Sequence, residues 1–240
     1  MPLDRAEQYP APLDIVRRLV KPERDRNKET RTREEWWRFT RTRPELYETV
    51  RNLGHVLAIS LVSNAVMPVR VPTGPVFAHK CAVFAIDDFG GLACLSSSAH
   101  TVWTVRYTST MRRDINYSPS DVFLTFPRPE SNPKMERLGR RLHTERRELM
   151  FSRGWGLSTT YNHVHDPSDR DPEVQALREL HAEIDAAVLA AYGWSDLDLG
   201  IGHHSTKIGV RWTVGKEARF ELLDRLLEEN HRRAALEGGK

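Results

Sequence analysis

Four short clusters contain the residues best suited to chemistry. Tyr161-Asn162-His163-Val164-His165-Asp166 sets two histidines two positions apart beside a carboxylate. On a strand that spacing turns both imidazoles to one face, as a metal ion would require. His203-His204 adds two more, and with His163 and His165 these would make a metal-dependent hydrolase site. The competing account is a polar loop whose side chains bond the backbone ahead of a helix that starts at Asp171. No third ligand is fixed by spacing, so the loop is the simpler account. Asp87-Asp88 follows an apolar strand and suits a cation or, equally, a turn at the strand end. Ser96-Ser97-Ser98 with His100 pairs hydroxyls with a base. Without an oriented carboxylate or oxyanion loop, helix capping explains these serines better. The last cluster is Arg106, Arg112, Arg113, Tyr117 and Arg128. Arginines interleaved with aromatics suit contacts to phosphates and base edges, with surface salt bridges as the alternative.

Several catalytic signatures do not occur. The sequence has no Gly-rich strand-to-helix turn to cradle S-adenosylmethionine or a dinucleotide, and no P-loop. It has no Asn-Pro-Pro-aromatic loop to grip an adenine amino group, and no acidic–Lys triad for Mg²⁺ stands out.

The elements that must position these residues change character along the chain. Segment 12–20 reads as a short amphipathic helix with Pro12 in its first turn and Pro22 ending it. Segment 21–33 is charged and expected to be exposed. Segment 33–53 has helical spacing, with Pro44 at a break or at the first turn of a second helix. Segments 55–62, 66–71, 76–77 and 82–86 are short, β-branched and aromatic, and predict a small, mostly antiparallel sheet. Segment 92–111 alternates polar and apolar, and 117–129 reads as extended or looped. Helices are predicted over 131–152, over 172–192 between Asp171-Pro172 and Gly193, and over 215–235. The fold class is therefore α+β, a small mostly antiparallel sheet in the middle flanked by N-terminal and C-terminal helices. The divisions are a helical connector over 1–53, a sheet-containing part over 54–130 and a helical module over 131–240.

Composition sets bounds on all of this. The 240 residues are 39% hydrophobic and 29% charged, an ordinary globular balance for one large domain or two small ones. No apolar run is long enough to span a membrane, and residues 1–20 lack a signal-peptide core. Cys81 and Cys94 both lie in apolar surroundings, which predicts buried free thiols and a cytoplasmic location. The net charge is +3, but residues 106–153 carry eleven Lys/Arg against six Asp/Glu. That local excess suits either a phosphate-facing surface or a solvated helix face.

Several stretches, taken in order, resemble one family. They are Glu34-Glu35-Trp36-Trp37-Arg38-Phe39 with Arg43-Pro44-Glu45-Leu46-Tyr47, then Val83-Phe84-Ala85-Ile86-Asp87-Asp88-Phe89, then Leu95-Ser96-Ser97-Ser98-Ala99-His100 with Trp103. Tyr117-Ser118-Pro119-Ser120-Asp121 with Thr125-Phe126-Pro127 follows, then Tyr161 to Pro167, and Ala191-Tyr192-Gly193-Trp194 with Asp196-Leu197-Asp198-Leu199. Each is weak alone. Together they resemble the region downstream of the methyltransferase domain in single-chain type II (IIG and IIL) restriction–modification enzymes, adenine-specific DNA methyltransferases. The resemblance covers about residues 10 to 235. It implies a target-recognition domain at 54–130 that reads double-stranded DNA in bacterial defence. It points to the sheet and the 95–128 segment as the recognising part without giving base contacts residue by residue. The DNA-binding candidates taken from the sequence are Arg70, Lys80, Ser97, His100, Arg106, Arg112, Arg113, Tyr117 and Arg128. S-adenosylmethionine and Mg are expected only in the complete enzyme or a partner chain, so catalysis by this chain alone is not implied. The alternatives are a subunit of a split enzyme, a truncated non-functional remnant, and the metal-dependent hydrolase.

Overall fold

The computed structural model describes residues 1–111, 114–206 and 209–238. The chain forms two compact units, Met1–Arg51 and Asn52–Lys240. Among the described residues, no helix is long and apolar enough to cross a membrane.

The first unit holds five short helices: α1 (Leu3–Ala6), α2 (Pro10–Leu19), α3 (Lys21–Arg24), α4 (Thr30–Glu34) and α5 (Pro44–Val50). Its core is small. Ala6, Leu13 and Trp36 are buried, with Leu3, Val16 and Trp37 packed on them. Pro22 does not end the helical run but opens the short α3, where proline is tolerated because an N-terminal N–H has no helical partner. Pro44 opens α5 for the same reason. Segment 33–53 is helical only in part, at the end of α4 and in α5.

The second unit contains the sheets and the long helices. The strands are β1 (His55–Ser60), β2 (Val62–Ser63), β3 (Val69–Pro72), β4 (Cys81–Phe84), β5 (Ser109–Met111), β6 (Asp114–Asn116), β7 (Gly202–Thr206) and β8 (Gly209–Thr213). They form three small antiparallel sheets, ordered β3-β1-β4, β2-β6-β5 and β7-β8. Central β1 is buried from Val56 to Ile59, whereas β4 opens on exposed Cys81. The expectation of two buried thiols therefore holds for Cys94 and fails for Cys81, which sits at the strand end where the chain leaves the core. Residues 76–77 form no strand. Gly74 and Pro75 precede them, proline cannot donate to a ladder, and Val76 is exposed.

The helices are α6 (Phe89–Ser96), α7 (Ser98–Tyr107), α8 (Pro133–Arg153), α9 (Leu157–His165), α10 (Pro172–Tyr192) and α11 (Lys216–Gly238), with a single π-helical turn at Pro119–Phe123. Caps fix the boundaries of two of the long helices read from the sequence. Asn132 accepts from the Lys134 and Met135 amides and Gly154 ends α8 in the left-handed region. Asp171 accepts from the Glu173 amide, and Gly193 ends α10 likewise. Residues from 54–130 and 131–240 share one hydrophobic core, from Leu57 and Phe84 through Trp103 and Leu142 to Ile184 and Leu226.

Glycine allows the closest helix approach in that core. Gly139 lies inside α8, and a Cβ there would stand 1.9 Å from the Phe89 carbonyl oxygen of α6. The missing side chain lets α6 lie against α8 and fixes where Phe89 emerges. Glu136, one turn earlier on α8, accepts from the Phe89 and Gly90 amides at 3.3 and 2.9 Å. A carboxylate thus meets the positive end of α6.

Buried polar side chains in this unit are satisfied mainly by helix ends. Asp185 of α10 accepts from the Ser98 amide and hydroxyl at 2.6 and 2.7 Å, at the start of α7. Arg178 of α10 is 1% exposed and donates to the carbonyls of His163, Val164, Asp166 and Asp169 around the end of α9. His100 donates from Nδ1 to the Leu95 carbonyl, so its Nε2 accepts from Tyr117 Oη at 3.0 Å. His181 Nε2 accepts from Tyr161 Oη, and Arg146 of α8 donates to the same phenolic oxygen.

These networks set the acid response. Burial pushes His100 down to about 4 and His181 down to about 3, so both stay neutral when folded. The unfolded chain takes up their protons near pH 6.5, so stability falls as pH drops below that value, by about 2 kcal/mol per histidine between pH 7 and 5. Burial raises Asp185 to about 6, against the two Ser98 bonds. That group acts oppositely, since its stabilising effect is complete below about pH 4 and is lost as pH rises through 6. Burial also holds His165 down to about 3, which adds a loss of the same size as each of the other two histidines. Urea unfolding should therefore show a net loss of about 4 kcal/mol from pH 7 to 5, and Asp185→Asn should deepen it. An unchanged midpoint would show that the histidines are not buried and neutral. Gly139→Ala should lower stability by on the order of 1–3 kcal/mol in thermal melts. An unaltered melting temperature would mean α6 and α8 do not meet this closely.

Candidate nucleic-acid interface

Residues that could meet a nucleic acid must be exposed, and this divides the sequence-derived set. Ser97, His100 and Tyr117 are 1%, 1% and 3% exposed. Ser97 caps α7, and His100 and Tyr117 bond each other within the core, so as placed none presents a side chain to a duplex. The His100 ring packs on Phe126 and the Tyr117 ring on Phe84, which places both inside the core. Arg106 is exposed in the last turn of α7, near the Tyr107 ring. Lys80 is exposed just ahead of β4. Arg128 is exposed, with its guanidinium 4.3 Å from the Phe123 ring centroid. Arg112 and Arg113 lie outside the described residues.

Arg70 is held in place more firmly than spacing suggested. From β3 its Nε donates to the Asp87 carbonyl at 2.8 Å and its Nη2 to Asp87 Oδ1 at 2.5 Å. Burial works to raise the Asp87 carboxyl, but the Arg70 hydrogen bond and charge outweigh it and hold that carboxyl below its ordinary value. Asp87 also accepts from the Gly54 amide. The Asp87-Asp88 pair is thus a clamp and a cap rather than a cation site, since Asp88 accepts from the Gly91 amide to start α6.

Among the described residues, a further cationic surface was missed by the sequence-derived set. It runs along the outer face of α8. Arg137, Arg140, Thr144, Arg147 and Phe151 recur at intervals of three and four, and all are exposed. Among the described residues, no carboxylate lies within ion-pair distance of Arg137, Arg140 or Arg147. By contrast Arg141, on the adjoining face, pairs with Glu145 and Glu183, and Arg153 with Asp171 and Glu173. Arg140 lies 4.2 Å and Arg70 4.5 Å from the Phe89 ring centroid, so both cations rest on the side chain that Gly139 helps to place. Beside them a cleft of about 210 Å³ is lined by Val69, Arg70, His143, Arg146, Arg147, Met150, Phe151 and Trp155. Burial, then the field of Arg146, Arg70 and Arg147, keeps His143 below the usual imidazole range. Arg146 is buried at the base, donating to the Pro68 carbonyl and Tyr161 Oη. Helical periodicity of the 131–152 arginines was the signal that could have found this face.

Charge along the chain is polarised in the same sense. Residues 1–51 carry thirteen Lys/Arg and ten Asp/Glu. Residues 52–153 carry thirteen against eight, and 154–240 carry ten against fifteen. The second unit thus has no net charge, but its two stretches have excesses of five cations and five anions.

The histidine cluster does not assemble. Residues 161–165 are helical, not extended, so His163 and His165 point to different sides of α9. His163 bonds Asp169 at 2.7 Å and stacks on Trp155, with ring centroids 3.9 Å apart. His165 accepts from the Trp212 amide, and His204 bonds the Gly200 carbonyl. Among the described residues no three His, Cys, Asp or Glu side chains come together to hold a metal ion.

No family model and no curated protein sequence matches this chain. Among solved structures, it is similar to the type IIL restriction–modification enzyme MmeI in complex with DNA. The likeness has a TM-score of 0.61 at 16% identity and covers 93% of this chain. At that identity it establishes a shared fold. The chain spans 26% of that enzyme's length.

Adding zinc, nickel or manganese to the purified protein should leave its melting temperature unchanged. A saturable rise that His165→Ala abolishes would restore the metal-site reading.

Proposed function

We propose that this chain is a sequence-specific DNA-recognition module of a restriction–modification system, working beside an adenine-N6 methyltransferase that it does not itself contain. One observation carries the reading: 93% of the chain shares its fold with a restriction–modification enzyme whose structure was determined on DNA. The missing cofactor and adenine-gripping loops support a division of labour, in which S-adenosylmethionine and Mg are bound by the complete enzyme or by a partner chain.

In this reading the second unit supplies a rigid platform. Its core fixes the sheets and α8, and exposed side chains then meet the duplex. Lys80, Arg106 and Arg128 are the sequence-derived candidates that reach solvent, with Arg112 and Arg113 as candidates from the sequence alone. A bidentate arginine on a guanine edge contributes about 1–3 kcal/mol of discrimination, whereas a phosphate contact adds affinity without sequence preference. While the module holds the duplex, the methyltransferase would rotate the target adenine out of the stack.

The test is selection from a randomised duplex library at two salt concentrations, followed by sequencing of the retained DNA. The expected result is enrichment of one short motif that persists at the higher salt. Retention of all sequences alike, lost as salt rises, would overturn specific recognition. Absence of retention at either salt would overturn DNA binding by this chain.

A further inference from the structure

We infer that the outer face of α8 is the surface that follows the DNA phosphate backbone, through Arg137, Arg140 and Arg147. This rests on the DNA-recognition reading and deepens it by naming the surface and the chemistry.

The three guanidiniums share one helix face over ten residues, about 15 Å at 1.5 Å per residue. That length matches roughly four base pairs at 3.4 Å of rise along one strand. They are also the exposed arginines of α8 left without carboxylates among the described residues, whereas Arg141 pairs with Glu145 and Glu183 and Arg153 with Asp171 and Glu173. A stripe free of counter-ions on a helix whose other exposed arginines are paired is poised for an external polyanion. Surroundings add to the field: Arg70 shares the Phe89 ring with Arg140, and Arg146 lies buried below with no carboxylate bonded to it among the described residues. His143 stays neutral at physiological pH, so it offers a phosphate a hydrogen bond without adding repulsion to the stripe. Phe151, 74% exposed at the end of the stripe, supplies an apolar face beside Arg147 for a sugar.

The stripe makes a quantitative statement about salt. Each phosphate contact contributes about 0.9 to the slope of log affinity against log salt concentration, so three contacts contribute between about 2 and 3. The probe is a fluorescently labelled random-sequence duplex, titrated with the full chain over a salt series. Arg137→Gln/Arg140→Gln/Arg147→Gln should lower the slope by about 2 to 3. Each single variant should lower it by about 0.9, which keeps the test usable if the triple variant folds poorly. The control is Arg141→Gln/Arg153→Gln, which removes paired cations from the same helix and should leave the slope unaltered. If the wild-type chain binds the duplex but the stripe variants keep its slope, the surface assignment fails and the recognition reading stands. If the control lowers the slope as much as the stripe variants do, net charge rather than this face is responsible, and the assignment again fails. A wild-type chain that binds no duplex at low salt overturns both.

Discussion

The second unit is organised around ionisable side chains buried against helix termini. Helix α10 carries Asp185 toward the amide end of α7 and Arg178 toward the carbonyl end of α9. Glu136 of α8 does the same for the amide end of α6. In each case the sign fits, carboxylates meeting the positive end of a helix and a guanidinium the negative end. A buried charge is costly to isolate, so these contacts admit few alternative arrangements. Five helices are thereby fixed in orientation by groups that cannot slide a turn without losing their partners. Apolar packing from Leu92 to Leu226 supplies the driving force, and the polar contacts select one packing from the many that hydrophobicity alone would allow.

The surface inherits its order from that core. Gly139 lets α6 come close, α6 presents Phe89, and Phe89 seats Arg140 and Arg70. Asp87 then holds Arg70 from the loop after β4. Arg146 ties α8 to Pro68 ahead of β3, so the helix and the sheet edge that line the cleft are joined at its base. Side chains that must be accurate at a recognition surface are best carried by elements immobilised in this way. The same construction explains why Ser97, His100 and Tyr117 serve the interior: they join α6, α7 and the segment after β6 where the sheet packs on the helices.

Charge distribution connects the fold to its proposed role. With no net charge on the second unit, attraction to a polyanion depends on where the charges lie rather than how many there are. Acidic residues gather in the stretch containing α10 and α11 and neutralise arginines that face them, as Glu183 does for Arg141 and Asp196 for Arg225. Among the described residues, the outer face of α8 keeps its cations uncompensated.

Local signals in the sequence determined much of the architecture. Asp171-Pro172 and Gly193 delimit α10 as read, because capping is settled within one helical turn of the chain. The apolar, β-branched runs around β1, β3 and β4 were legible for a similar reason, since alternation and β-branching act through immediate neighbours. The hairpins β5-β6 and β7-β8 were not legible, because strands such as Gly-His-His-Ser-Thr carry no two-residue hydrophobic alternation. The candidate site was harder still. Whether a histidine is a ligand, a base or a buried hydrogen-bond bridge depends on partners such as Tyr117 for His100 or Tyr161 for His181, seventeen and twenty residues away. Whether an arginine of α8 is spent on a neighbour or free for a ligand depends on Glu183, forty-two residues from Arg141. Sequence fixed the helix that carries these arginines, because capping and periodicity are local. Only the tertiary structure decided which of them face solvent without a counter-ion, because charge pairing and burial are settled by which elements meet.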